Sequence, residues 1–486
     1  MEKLLSYLNE INNNRNMQNI LYWEMDTKVP KDSYEHYADL SSLIGTKVFE
    51  MSTSVKYIEL LNKFVVSEEF KSLDKHKQIY YLDLIKNYEK EKKIPKEFFK
   101  KFEKQKSISK QKWTEAKEKN DYSIFKPYLE KNIEMTKELY RYIDPDCSNI
   151  YNLMLDDYEK EITTDDIDGI FEKLKERIIP IIKNLKKNDL KDIKISLSED
   201  KLMELSKYLL NYIGFNNDKG ALGIFPHGYT ATMNKDDVRI AFNKSSNLFD
   251  HISTIVHEGG HGIFEQYAGN EFKELDICDI NTIALHESQS RFYENILGRN
   301  INFFYPIYDD IKKITGIDMP IEEFIKYFND AKPSLVRTEA DELTYCIHII
   351  IRYEIEKEIF NGNIDLNKLP EIWNKKYKDY MGIDIENDKD GILQDVHWSE
   401  CSFGYFPSYL LGSIFDGMLL ETINNKVGNV DTLLKEGRIK EITKFLNENI
   451  HKYAGAYNIL EVAKRVCNKD LEVDPLVNYF ENKYKI

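Results

Sequence analysis

Ser253–Gln266 reads STIVHEGGHGIFEQ, and three glycines, Gly259, Gly260 and Gly262, fall within four residues of it. Gly costs roughly 1 kcal/mol relative to Ala inside a helix. The stretch is therefore either a glycine-rich loop or a helix that keeps its glycines for packing. A phosphate-cradling loop needs Lys followed by Ser or Thr after the glycines, and neither follows here. On a helix, Ile252, Ile255, Val256, Ile263 and Tyr267 share one face, with Gly259 and Gly260 in the gap between Val256 and Ile263. The pattern predicts a helix that another backbone approaches closely.

The same helix sets His257 and His261 one turn apart on the face opposite the apolar stripe, with Glu258 beside them. This is H-E-x-x-H. Two imidazoles at i and i+4 reach one tetrahedral zinc, and the intervening glutamate is offset towards the water rather than the ion. A third ligand is needed, and DICDINTIALHESQSRFYENILGRN, from Asp276 to Asn300, reads as a second helix after a short acidic connection. It offers Glu287, His286 and Glu294. Neighbours on a helix point about 100° apart, so His286 and Glu287 do not both face the same ion.

Further out, Gly214–Asn247 is rich in Gly, Asn and Asp and contains DVRIAFN, where Val238, Ile240 and Phe242 alternate with Arg239, Ala241 and Asn243. That period of two predicts a half-buried strand, either an edge hairpin on the metal helix or a strand to which an extended substrate adds itself. Elsewhere apolar residues recur at three and four, as in LSKYLLNYIGF and IHIIIRYEIEKEIF, so the chain reads as mainly helical. The lysine-rich run from Lys86 to Lys119 is broken by glutamates and aromatics at helical intervals, the pattern of a solvated helical face.

With 486 residues the chain has ample length for a sizeable core. Its net charge of −15 argues against nucleic acid or an anionic membrane as main partner. The five cysteines, Cys147, Cys278, Cys346, Cys401 and Cys467, are scattered without CxxC spacing, as in a reducing compartment. The N-terminus lacks the pattern of a signal peptide, and no apolar run approaches the ~18 residues of a membrane span. A cytoplasmic location is the expectation.

HEGGHGIFEQ followed by HESQSRFYEN resembles the carboxypeptidase Taq family of metallocarboxypeptidases. WEMDTKVP near the start, DVRIA, VRTEADELTY (Val336–Tyr345) and GILQDVHWSECSFGYFPSY (Gly391–Tyr409) extend the resemblance over essentially the whole chain. It implies a mainly α fold: one large helical peptidase domain over 1–486, with a deep substrate groove and a small sheet beside the zinc helix. The helical part of about 1–200 would form one wall of the groove, and 201–486 would carry the sheet, the zinc helix and the catalytic motifs. It further implies a homodimer, zinc as usual metal with cobalt possible, and removal of C-terminal residues. By motif position His257, His261 and Glu287 would be the ligands and Glu258 the general base. The family's Asp-x-Arg-x-Thr ends here in Ala241, and its His-Pro-Phe stands as HGY, with Gly228 after the catalytic candidate His227.

Peptide hydrolysis also needs donors for the oxyanion, and the candidates are His397, Tyr405 and Tyr409, with Tyr409 preferred. An exopeptidase must bind a terminal carboxylate, which the planar fork of Arg suits. Arg337 is the first choice, ahead of Arg352 and Arg239, with an internal ion pair to Glu339 or Asp341 as its other reading. A zinc dipeptidase or oligoendopeptidase shares this metal site, and a non-catalytic metal-binding scaffold would have no need of Glu258. A di-iron bundle would want two Glu-x-x-His motifs, which ELDICD and HES do not supply.

Overall fold

The computed structural model describes residues 2–185, 190–191, 193–234, 236–268 and 282–484. Helices dominate it, as the periodicity predicts, and one contiguous apolar core runs from Leu4 to Phe480. The lysine-rich run forms the end of one helix (Lys75–Glu91) and the whole of another (Lys96–Lys119), with Pro95 as N-cap of the second. Its lysines pair with glutamates one turn away, as in Lys112–Glu115 at 2.8 Å, so it is a solvated face. No helix among the described residues is long and apolar enough to cross a membrane.

Three strands form the sheet: β1 (Gly220–Ile224), β2 (Tyr229–Asn234) and β3 (Asp237–Phe242). Their order is β1-β3-β2, with β3 parallel to β1 and antiparallel to β2. This corrects both expectations for DVRIAFN. The strand is central and hydrogen-bonded along both edges, so no substrate strand can be added to it. Val238, Ile240 and Phe242 are buried as the alternation predicts, yet so is Ala241, because Trp23 of the N-terminal helix (Glu2–Thr27) covers the other face of the sheet with Met233.

The stretch in question is a helix, Leu248–Ala268, here called the HEGGH helix. It is enclosed on nearly all sides, and Glu258 and His261 are as buried as the apolar residues. A polar face turned to solvent is thus not what the histidines occupy. Each glycine admits a different neighbour. A Cβ on Gly259 would meet Leu210 and Ile213 of the helix Glu199–Ile213, and one on Gly262 would meet the ring of Phe215. On Gly260 it would meet backbone, at Gln289 and Ser290. The close backbone approach read from the sequence is therefore at Gly260. The approaching element is the HESQ helix (Ile283–Arg291), which continues into a π-helical turn, Phe292–Leu297. Buried Glu159 anchors its start, accepting from the backbone N–H of Ala284 at 3.0 Å and, through its other oxygen, from Ile459 at 3.0 Å.

Candidate metal centre

His257, His261 and Glu287 bring one donor atom each to within 4.8 Å of one another. The HEGGH helix supplies the two imidazoles and the HESQ helix the carboxylate, held against each other at Gly260. Of the alternatives for the third donor, His286 turns its Nε2 to Glu265 at 2.8 Å and stacks on the His261 ring at 4.2 Å. Glu294 accepts a hydrogen bond from His257 Nδ1 at 2.8 Å, which leaves Nε2 of that ring for a cation. Arg299 lies 3.4 Å from the other oxygen of Glu294. Burial, with His286 and His257 nearby, holds His261 well below the ordinary imidazole pKa. The ring is neutral at physiological pH, as a metal ligand must be. Its buried Nδ1 has no hydrogen-bond partner among the described residues. Two neutral-capable imidazoles and one carboxylate fit a divalent cation of the zinc type with an open position.

Glu258 stands beside this group. Burial pushes its carboxyl above the ordinary range, against the pull of His257 and of a hydrogen bond from Thr230. Thr230 Oγ1 lies 2.7 Å from Glu258 Oε2 and 3.0 Å from its carbonyl oxygen. Thr230 faces the HEGGH helix because it pairs with Ile240 in the sheet register, a relation that the sequence does not display. Gly228 lies in the β1–β2 connection over the same carboxylate: a Cβ there would stand 2.4 Å from Thr254 Cγ2 and 3.4 Å from Glu258 Oε1. Gly in place of the family's proline thus lets this loop close on Glu258. His227, next to it, is exposed. Ala241 faces Trp23, away from the metal donors.

The three arginines fare differently. Arg337 and Arg352 clamp one buried carboxylate, Asp395, from two sides, with Arg337 Nη2 2.9 Å from Oδ1 and Arg352 Nε 2.7 Å from Oδ2. Burial would raise the Asp395 carboxyl, but Arg352 and Arg337 override it and hold the group far below the usual range. Arg352 is fully buried, and its remaining nitrogens are occupied by His348 O, Tyr377 Oη and Gln394 Oε1. That corrects its assignment to substrate binding, since no donor is left. Arg239 is turned away by its place in the sheet. It forks onto Asp237 at 2.7 and 2.9 Å and lies over Trp23, on the sheet face turned from Glu258. Arg337 keeps N–H groups in reserve: among the described residues its guanidinium hydrogen-bonds, besides Asp395, only Tyr345 Oη, at 3.0 Å. Its partner is Asp395 rather than Glu339 or Asp341, and Asp341 instead accepts from Thr344 Oγ1 and the backbone of Lys332, Leu343 and Thr344.

His397, Tyr405 and Tyr409 gather with these groups. The Tyr405 ring is 5.3 Å from His397 and 5.2 Å from Tyr409, and the Tyr409 ring is 6.1 Å from Tyr345. Burial lowers the His397 pKa to about 4 and raises that of Tyr405 to about 12, with Tyr409 also well above its ordinary value. At neutral pH the imidazole is uncharged and both phenols keep their protons to donate. Cys147, Cys346, Cys401 and Cys467 are free thiols, and Cys278 lies outside the described residues.

Comparison with known proteins identifies the family. Residues 3–484 match the family described as carboxypeptidase Taq (M32) metallopeptidase. The chain is 36% identical to carboxypeptidase 1 of Bacillus subtilis over 473 residues, which is 96% of this chain and 94% of that protein. It is 27% identical to thermostable carboxypeptidase 1 of Thermus thermophilus, covering 95% and 94% of the two chains. A solved structure of Pyrococcus furiosus carboxypeptidase superposes with a TM-score of 0.92 at 27% identity, covering 99% of this chain and 98% of the other. The chain belongs to the carboxypeptidase Taq (M32) family of metallopeptidases and is a metal-dependent peptide hydrolase.

Proposed function

We propose that this enzyme is a zinc carboxypeptidase that releases C-terminal residues from peptides with a free α-carboxylate, using Glu258 as general base. The observation that carries the reading is the convergence of His257, His261 and Glu287 within 4.8 Å, with Glu258 adjacent and its carboxylate bonded, among the described residues, only to Thr230. When bound, the ion would supply Lewis acidity to a water molecule and to the scissile carbonyl.

This chain's own residues do the rest. Thr230 fixes Oε2 of Glu258 and leaves Oε1 to take a proton and hand it to the departing amine. Glu294 sets the ring of His257, the role such outer partners have at metal sites. Tyr409, protonated and beside Arg337 at 5.3 Å, donates to the carbonyl oxygen as charge develops there. His397 is the second donor candidate, and His227 meets the substrate from the β1–β2 loop. Arg337, steadied by Asp395, takes the terminal carboxylate.

The reading includes a single peptidase domain with one groove, a homodimer, a cytoplasmic location, and zinc as resident metal with cobalt able to replace it. Peptide is the partner, not nucleic acid or membrane. The test is release of C-terminal residues from a mixed peptide set, with and without a chelator, followed by Zn²⁺ or Co²⁺. Release that depends on a free C-terminus and returns with metal supports the proposal. Internal cleavage of end-blocked peptides would replace it with an endopeptidase.

A further inference from the structure

Arg291 stands one helical turn beyond Glu287 and is only 6% exposed. Its Nε donates to Ser413 Oγ at 2.8 Å, and among the described residues that is the only hydrogen bond its guanidinium makes. Among the described residues neither Nη group has an acceptor, and neither is fully closed off from solvent. Spare donors that keep an opening on a side chain otherwise so buried mark a place where an acceptor can bind. Arg352, with every nitrogen engaged, shows what a purely structural arginine looks like in the same region.

The surroundings say which acceptor. The guanidinium lies 3.9 Å from the centre of the Tyr345 ring, and the hydroxyl of that tyrosine accepts from Arg337 at 3.0 Å. Tyr345 thus stands between two cations, with Tyr409 closing the third side. The carboxyl groups that interact with Arg291 are committed elsewhere: Glu294 to His257, Glu287 to the metal donors, and buried Asp416, held well above the ordinary carboxyl range, to Ser288. Asp395 is shared by Arg337 and Arg352. Positive charge is left over one helical turn from Glu287.

Resting on the carboxypeptidase reading above, we infer that Arg291 is a second carboxylate-binding residue: its free Nη pair and Arg337 hold the substrate's α-carboxylate from two sides across the Tyr345 ring. The planar fork can engage one carboxylate oxygen or both. A substrate lacking the charge would leave the spare N–H groups of both arginines without an acceptor, which is how a polar site rejects an analogue strongly.

The test compares Arg291→Gln, Arg291→Lys and Arg337→Lys on the metal-loaded enzyme. With Arg291→Gln, KM for an N-blocked dipeptide should rise roughly tenfold or more while kcat and metal content hold. Inhibition by the corresponding N-acyl amino acid, which carries the carboxylate but no scissile bond, should weaken in parallel. Arg291→Lys, which keeps the charge and loses the fork, should fall between. It also serves as the reading if the glutamine variant does not fold, and wild-type KM and inhibition in it would then overturn the inference. Unchanged KM and inhibition in Arg291→Gln, or a fall in kcat alone, would overturn it as well. If Arg337→Lys weakens inhibition and Arg291→Gln does not, this inference falls alone. If neither does, the placement of the carboxylate at this end of the site falls with it.

Discussion

A Cβ on Gly260 would stand 2.8 Å from the carbonyl oxygen of Gln289, so the helix bearing His257 and His261 meets the helix bearing Glu287 backbone to backbone. The metal donors converge because nothing larger than hydrogen separates the two helices at this point. Gly260→Ala would gain about 1 kcal/mol of helix propensity and incur about 1–3 kcal/mol of overpacking. The expected outcome is net destabilisation together with weaker metal binding, read from denaturant midpoints and metal titration. An alanine variant that is more stable and fully loaded would show that the contact is not what joins the helices.

Glu258→Gln keeps the shape of the base, and its amide oxygen can still accept from Thr230. Turnover should fall by about 10²–10⁴-fold or more, with metal content near that of the parent by elemental analysis. A variant that keeps most of its rate removes Glu258 as the base.

Glu294→Gln takes the charge from the residue that orients His257. Such partners are worth about 10–100-fold in metal affinity, so competition with a chelator should strip the variant that much more readily, while added metal restores activity. Equal chelator sensitivity in parent and variant would leave Glu294 with no part in holding the ligand.

Burial raises the Glu159 carboxyl to about 7, despite the two backbone N–H groups it accepts from. A carboxyl raised in the folded state binds more protons there than in the unfolded chain between about pH 4.5 and 7. Stability should therefore fall as pH rises through that window and level off above it. The full effect is on the order of 3 kcal/mol. Glu159→Gln removes the titrating group, so the difference between parent and variant midpoints should change across the window and be flat above pH 8. A difference independent of pH would contradict this.

The sequence by itself determined the helix under the three glycines, the presence of β3 and the pairing of His257 with His261. Helical repeats of three and four, and strand repeats of two, are relations between near neighbours, and the residues that satisfy them are adjacent in the chain. What the tertiary structure decided were contacts across long separations. It turned His286 to Glu265, set Glu294 against His257, and delivered Glu287 alone to the donors. It placed β3 in the middle of its sheet, which alternation along one strand cannot reveal because edge and centre share the period. It joined Arg337 to an acid 58 residues away and left Arg291 with donors to spare. An arginine's partner depends on which segments meet when the chain closes, and no local pattern records that meeting.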